Sequence, residues 1–228
     1  PSEIEVMRTL YAVDVLYVEA HIARILDWLE QSGQLDETLV VFTSDHGEEF
    51  YEHHGWNHGS SAFTEQLRVP LIMQARGLIP AGRRIEEPTR HVDVVPTILD
   101  VVGIECPAEV QGRSLLPMIE GMRLPPVPVY TEVYPLRPPD CSIFSIVDRT
   151  NKLIHVTLGD ASATMLFDLS ADPGEHDNLA GKAPAGVDSL DVKMETWDRI
   201  AHQLTPASSE IPIDSRRLKM LKSLGYIK

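Results

Sequence analysis

The sequence predicts an α/β fold: a layer of strands and helices in the first part of the chain, then a small antiparallel sheet with a terminal helix. Three observations carry this. Apolar residues recur at helical spacing through residues 2–31, and a short polar link leads from them into Leu39-Val-Val-Phe-Thr43. That run reads as a buried strand and stops at Ser44-Asp45-His46-Gly47. Further on, four short runs of strand-forming residues, separated by turn residues, lie between positions 127 and 168.

The elements follow in order. Ile4, Met7, Tyr11, Val15, Val18, Ile22, Ile25 and Leu29 make one apolar stripe, Ser2 and Glu5 form a capping-box pattern, and Gly33 supplies a stop. Asp14 and Glu19 on this helix read as a solvated face. A short helix is expected near residues 60–66 and a second buried strand over 69–74, with Pro70 at its start, where a missing donor is tolerable. Asp93 reads as the N-cap of a helix running to Val102, with Pro96 in its first turn and Gly103 at its end. Prolines crowd residues 107–139, which predicts a linking segment laid over the surface. Strands are expected at 127–133, 142–147, 152–158 and 165–168, a turn at Asp172-Pro-Gly174, an amphipathic helix at 187–204 and a short basic helix at 215–224. A boundary between 1–125 and 126–228 separates the α/β part from a small α+β part.

Composition narrows the function. The 228 residues are 43% apolar, ordinary for a globular protein, and carry a formal net charge of −14. That charge argues against binding nucleic acid or an anionic membrane, both of which need a basic surface. No apolar stretch reaches the length of a membrane span. Cys106 and Cys141 form neither a disulfide framework nor a zinc motif.

The chemistry concentrates in one loop. In open α/β sheets ligands bind beyond the carboxyl ends of the strands, where Asp45 and His46 fall. A carboxylate oxygen beside an imidazole nitrogen suits a divalent cation, and Gly47 gives the backbone room to turn. Four of the nine histidines lie between positions 46 and 58.

From Leu39 to Met73 the chain resembles the sulfatase family of the alkaline phosphatase superfamily. Thr43-Ser-Asp-His-Gly-Glu48, then Glu52-His, Gly55-Trp-Asn-His-Gly59 and Leu67-Arg-Val-Pro-Leu-Ile72 stand in family order. The resemblance extends through His91-Val-Asp-Val-Val-Pro-Thr97, Gln111-Gly-Arg-Ser-Leu115, Leu166-Phe-Asp-Leu-Ser-Ala-Asp-Pro-Gly-Glu175 and Leu221-Lys-Ser-Leu-Gly-Tyr-Ile227. It implies part of an alkaline-phosphatase-like sheet flanked by helices, and hydrolysis of a sulfate ester. It also implies that Asp45 and His46 hold a divalent metal, usually calcium, although the imidazole leaves Mn2+ or Zn2+ open. His58 stands where many sulfatases place a lysine against the sulfate. It is therefore the expected catalytic and substrate-contacting residue, with Trp56 and His53 as further substrate contacts. Glu48, Glu49 and Glu52 are expected to face solvent, and Arg68 and Arg113 to be structural.

The family's nucleophile is a cysteine or serine followed by x-Pro-x-Arg, converted to formylglycine. Neither Cys106 nor Cys141 has that context, and the 44 residues before Asp45 hold no such motif. The expectation is a carboxyl-terminal portion, inactive alone, whose partners are a sulfate-ester substrate and a missing amino-terminal half, with self-association through uncovered surfaces. The substitution of His58 for lysine keeps two alternatives open. One is a phosphodiesterase, phosphonate hydrolase or phosphoethanolamine transferase on the same scaffold; the other is a non-catalytic fragment. The compartment stays open, the resemblance leaning to the periplasm or the extracellular space.

Overall fold

A computed structural model describes residues 2–134, 140–204 and 217–220. Helix α1 spans Glu3–Gln31 and has the expected capping box: Ser2 Oγ accepts from the Glu5 amide, and the Ser2 amide donates to Glu5 Oε2 at 2.7 Å. Ser32 caps its end, and Gly33 then takes φ +72°, where a Cβ would be strained. No residue of α1 is buried. Leu10, Val13 and Tyr17 are exposed as well as the stripe members Met7, Tyr11 and Val18, so the apolar surface is broader than one stripe and most of it is open, while Ile4, Ile22, Leu26 and Leu29 are half-buried and Tyr11 meets Phe50 edge-on at 5.0 Å.

Strand β1 is Val40–Thr43; β2 (Glu49–Phe50) and β3 (Trp56–Asn57) form a hairpin; β4 is Leu71–Gln74. β1 pairs antiparallel with β4, in the register Val41 to Met73 and Thr43 to Leu71. Both were expected to be buried strands, and neither is: Ile72 is 60% exposed, and the burial of β4 alternates along the strand. One face of this two-stranded sheet is covered and the other is bare. Leu71 and Met73 pack with Ile79, Ile85 and Leu124 against buried Leu115, Met118 and Ile119. Those three residues lie in and beside α4 (Leu116–Ile119), a short helix with Pro117 in its first turn. Part of the proline-rich segment is therefore core, not surface linker.

Helix α2 is Thr64–Leu67 and starts later than expected, because the Ser60 and Ser61 amides donate to the side-chain oxygen of Gln66. Helix α3 is Val94–Val101, and Gly103 follows it at φ +73°. Asp93 does not cap α3 with its side chain. Its carboxylate accepts from Arg90 Nη2 at 2.7 Å and from the Arg113 amide at 3.0 Å, so burial is offset by a cation and a peptide donor. Arg113 also donates to the Pro125 carbonyl at 2.6 Å, the expected structural tie.

Strands β5 (Val129–Val133), β6 (Cys141–Asp148), β7 (Asn151–Leu158) and β8 (Ala161–Asp168) form an antiparallel meander in sequence order, as the alternating runs predict. Ile143, Ile154 and Phe167 make a core with Ala62, and Phe63 and Leu67 pack on it, so α2 rides on this sheet. The turn after β8 puts Glu175 at φ +58°. Helix α5 is Pro184–Leu204. The chain divides into two compact units, Pro1–Leu190 and Asp191–Lys228. Of the expected terminal helix, 217–220 is helical and the remainder lies outside the described residues. Among the described residues no helix is long and apolar enough to cross a membrane.

Candidate functional site

Asp45 and His46 sit where β1 ends, as the sequence predicts. Ser44 Oγ donates to the His46 carbonyl at 2.7 Å, and His91 Nε2 donates to the Ser44 carbonyl at 2.9 Å, tying this corner to the start of α3. His46 Nδ1 lies 2.9 Å from the Gly47 carbonyl. A carbonyl only accepts, so Nδ1 is the donor, and in the neutral ring Nε2 carries the lone pair. That Nε2 lies 3.7 Å from Asp45 Oδ1. Metal-ligating histidines have the same arrangement, with one ring nitrogen fixed by a backbone acceptor and the other free to bind. The carboxylate of Asp45 is 78% exposed and the His46 ring 41%.

The hairpin brings in the next groups. Glu49 pairs with Asn57 and Phe50 with Trp56, so continuing the register by one step sets Glu48 opposite His58. His58 Nδ1 is 3.0 Å from Glu48 Oε2, and its ring stacks on His46 with centroids 3.8 Å apart. Side-chain ligand atoms of His46, Glu48 and His58 all fall within 4.8 Å of one another. Glu48 thus does not simply face solvent. The hairpin turn is irregular, with Tyr51, His54 and Asn57 all at φ near +70°. Trp56 is exposed and tilts against Tyr51 at 5.6 Å.

His53 is placed differently. Its ring lies flat on Phe63 at 3.7 Å, Nδ1 meets Glu65 Oε1 at 2.6 Å, and Nε2 reaches the Glu175 carbonyl at 3.2 Å. Burial pushes its pKa down, but the hydrogen bond and charge of Glu65 outweigh that, and the net direction is up. Glu49 is buried as well, against expectation, because its carboxylate accepts from the Gly55 and His53 amides and from Gln66 Nε2. Beneath α2, Lys152 and Glu175 form an ion pair at 2.5 Å, each side chain 1% exposed. Glu175 Oε2 accepts from the Thr64 amide at 2.7 Å. Burial drives the Lys152 pKa down, and the Glu175 carboxylate opposes it.

Sequence reasoning missed Glu48, Glu49, Gln66 and the Lys152–Glu175 pair. Only Glu48 had a local signal, the two-strand register across 49–57. Asp168 and Asp172 close their own turns, with Ser170 and the Asp177 amide respectively.

Residues 3–104 match the family model Sulfatase. The chain is 36% identical over 180 residues to the N-acetylglucosamine-6-O-sulfatase of Bacteroides thetaiotaomicron, covering 76% of this chain and 32% of that protein. The chain belongs to the sulfatase family of the alkaline phosphatase superfamily. It is also 35% identical over 227 residues to the multifunctional alkaline phosphatase superfamily protein PehA of Trinickia caryophylli, covering 88% of this chain and 42% of that one. The solved phosphonate monoester hydrolase of Silicibacter pomeroyi superposes with a TM-score of 0.66 at 30% identity, covering 87% of this chain and 42% of that structure. The fold is alkaline-phosphatase-like. The chain spans well under half the length of these relatives. Membership of the family implies a divalent metal, and the donors gathered at the end of β1 fit one.

Proposed function

We propose that the protein carrying this chain hydrolyses sulfate esters, and that this chain supplies the cation-binding strand end and one wall of the pocket. The observation that supports this most is the end of β1 in a sulfatase-family chain: Asp45, the lone-pair nitrogen of His46, and His58 stacked beside it. Asp45 and His46 hold the cation, calcium by family and Mn2+ or Zn2+ by the chemistry of an imidazole ligand. A bound divalent ion would polarise the sulfuryl oxygens. His58 donates to a sulfuryl or leaving-group oxygen from Nε2, which no described residue occupies, while Glu48 orients its ring through Nδ1. Trp56 borders the substrate. His53 acts on the pocket by holding the loop rather than by touching substrate. The nucleophile belongs to a formylglycine motif in sequence outside these 228 residues.

Asp45→Ala in the full protein tests this. Turnover of an aryl sulfate should fall by about 100-fold or more; wild-type turnover would refute the site. The PehA relative is described as multifunctional, and His58 replaces the usual lysine, so a phosphonate monoester is the second substrate to assay. Faster turnover of the phosphonate than of the sulfate would transfer the function to that class.

We also propose that the bare apolar face of α1 is covered by further polypeptide of the same protein, because exposed Leu10, Val13 and Tyr17 are the kind of surface that buries on assembly. Light scattering on the 228 residues alone should then show self-association. A monodisperse monomer over a wide concentration range would contradict it.

A further inference from the structure

We infer that His53 is a positioning residue that works as an imidazolium. Bracketed by two acceptors, it clamps the hairpin that carries His58 onto α2 and onto the turn after β8, and the clamp opens when the ring loses its proton. This role deepens the proposed function and rests on it, because His58 is placed there against the sulfuryl group. Three features carry it.

The partners of the ring come first. Nδ1 meets the Glu65 carboxylate at 2.6 Å, and Nε2 meets the Glu175 carbonyl at 3.2 Å. A carbonyl only accepts, and carboxylates give up their proton well before imidazoles do. Both bonds therefore form together only when both ring nitrogens carry hydrogen. A neutral ring must release one of the two. Phe63 lies parallel to the ring at 3.7 Å, and an aromatic face attracts a cation.

Next is the charge around it. From its own hairpin, Glu49 accepts from the His53 amide, and from α2 comes Glu65. The turn after β8 brings Glu175 and His176, whose ring centroid is 5.5 Å from that of His53. Behind them β7 brings Lys152, paired with Glu175. Three carboxylates thus share one buried lysine. Glu49, Lys152 and Glu175 are almost wholly buried, so water does little to screen the excess negative charge. A second cation among them is favoured, and the net direction of the His53 pKa is upward although burial of the ring opposes it.

Where the clamp leads is the last. His53 lies in the turn between β2 and β3, so fixing it fixes the strand pair whose next step sets Glu48 opposite His58. Helix α2 also holds the cation-binding corner. The Gln66 carbonyl accepts from the Gly47 amide at 2.8 Å, and a Cβ at Gly47 would lie 2.0 Å from the Glu65 carbonyl oxygen. One short helix is therefore the common reference for Asp45 and His46 and, through Glu65 and His53, for His58. The second anchor is held as firmly: Glu175 sits at φ +58°, with its carboxylate fixed by Lys152 and the Thr64 amide. Opening the clamp shifts His58 relative to the cation without removing any ligand, and small displacements of a reacting group cost much rate.

Turnover and nitrogen NMR of the full protein, labelled at histidine, test this together. Both His53 ring nitrogens should carry protons at about pH 7. Glu65→Gln keeps an acceptor oxygen but no charge, and should lower the pH at which the ring titrates by about one pH unit or more. The ratio of kcat in the parent to kcat in His53→Gln cancels the titration of groups at the reacting atoms. That ratio should be about tenfold while the ring is charged and fall towards one as pH rises through the His53 titration, with KM and cation affinity unchanged. A merely structural His53 would lower the melting midpoint and leave the ratio flat. Glu65→Gln decides the point even where His53→Gln fails to fold, because its kcat should decline at the same lower pH that its NMR titration gives. One bare His53 nitrogen at neutral pH, or kcat indifferent to the His53 titration, would overturn the inference. Preference for the phosphonate monoester over the aryl sulfate would overturn only the sulfate reading, and the ratio is then measured on that substrate.

Discussion

The hairpin between β1 and α2 has two sides with opposite electrostatic habits. On the inner side Glu49, His53, Glu65 and Gln66 are buried or nearly so, and each polar group described there meets a defined partner. On the outer side Asp45, His46, Glu48 and His58 remain partly open to water and meet mainly one another. The two sides interleave within residues 45–66 and have almost the same composition. Burial separates them: a buried charge must be paired to exist, so the inner side is scaffold. An exposed cluster of mutual ligands costs little to maintain and is free to bind.

The largest effect should come from breaking the deepest pair. Lys152→Met leaves the Glu175 carboxylate buried without its cation and should cost about 3–5 kcal/mol in urea denaturation. Adding Glu175→Gln should recover part of that loss, because no charge is then left in the interior. Little change from Lys152→Met would mean the pair is not buried in solution.

Next is the backbone contact. Gly47→Ala drives a methyl group into the Glu65 carbonyl and should destabilise by about 3 kcal/mol, with loss of cation binding, since the hairpin must lift off α2. Retained stability and binding would show that the two strands are not pressed together.

A smaller effect depends on pH. The folded-state pKa of His53 is raised above its ordinary value of 6.5, so its contribution is fully present below the unfolded value and is lost as pH rises through the folded one. The stability gap between the parent and His53→Gln should therefore shrink from about pH 6 to about pH 9 in paired urea melts. A gap that widens over that range would reverse the assignment of Glu65 as its partner.

Smallest of all should be Arg76→Ala. Arg76 pairs with Asp36 and Glu30 in full solvent, where screening and side-chain entropy cancel most of the attraction, and the melting midpoint should not move measurably.

How much of this the sequence revealed follows the same division. Asp45 and His46 were legible because an apolar run ending in Asp-His-Gly is a local signal, and the meander β5–β8 because its alternation is local too. Glu48 facing His58 required the hairpin register. The turn hid that register, because Tyr51, His54 and Asn57 adopt the left-handed backbone where glycine would have been the visible cue. The inward turn of His53 depends on a carbonyl 122 positions away, and the burial of Lys152 depends on Glu175 beyond β8. Within a strand of alternating residues, Lys152 reads as a solvated side chain. Its partner exists only once the sheet has folded against α2. The bare faces of β1–β4 and of α1 escaped for the converse reason, since apolar runs report a capacity for burial and not what covers them.

The division of the hairpin into scaffold and binding side can be tested directly by following the imidazole nitrogens by NMR while Zn2+ is added. The account predicts that the His46 and His58 resonances shift on binding, while those of His53, held between Glu65 and Phe63, stay in place. Shifts at His53, or none at His46 and His58, would contradict it.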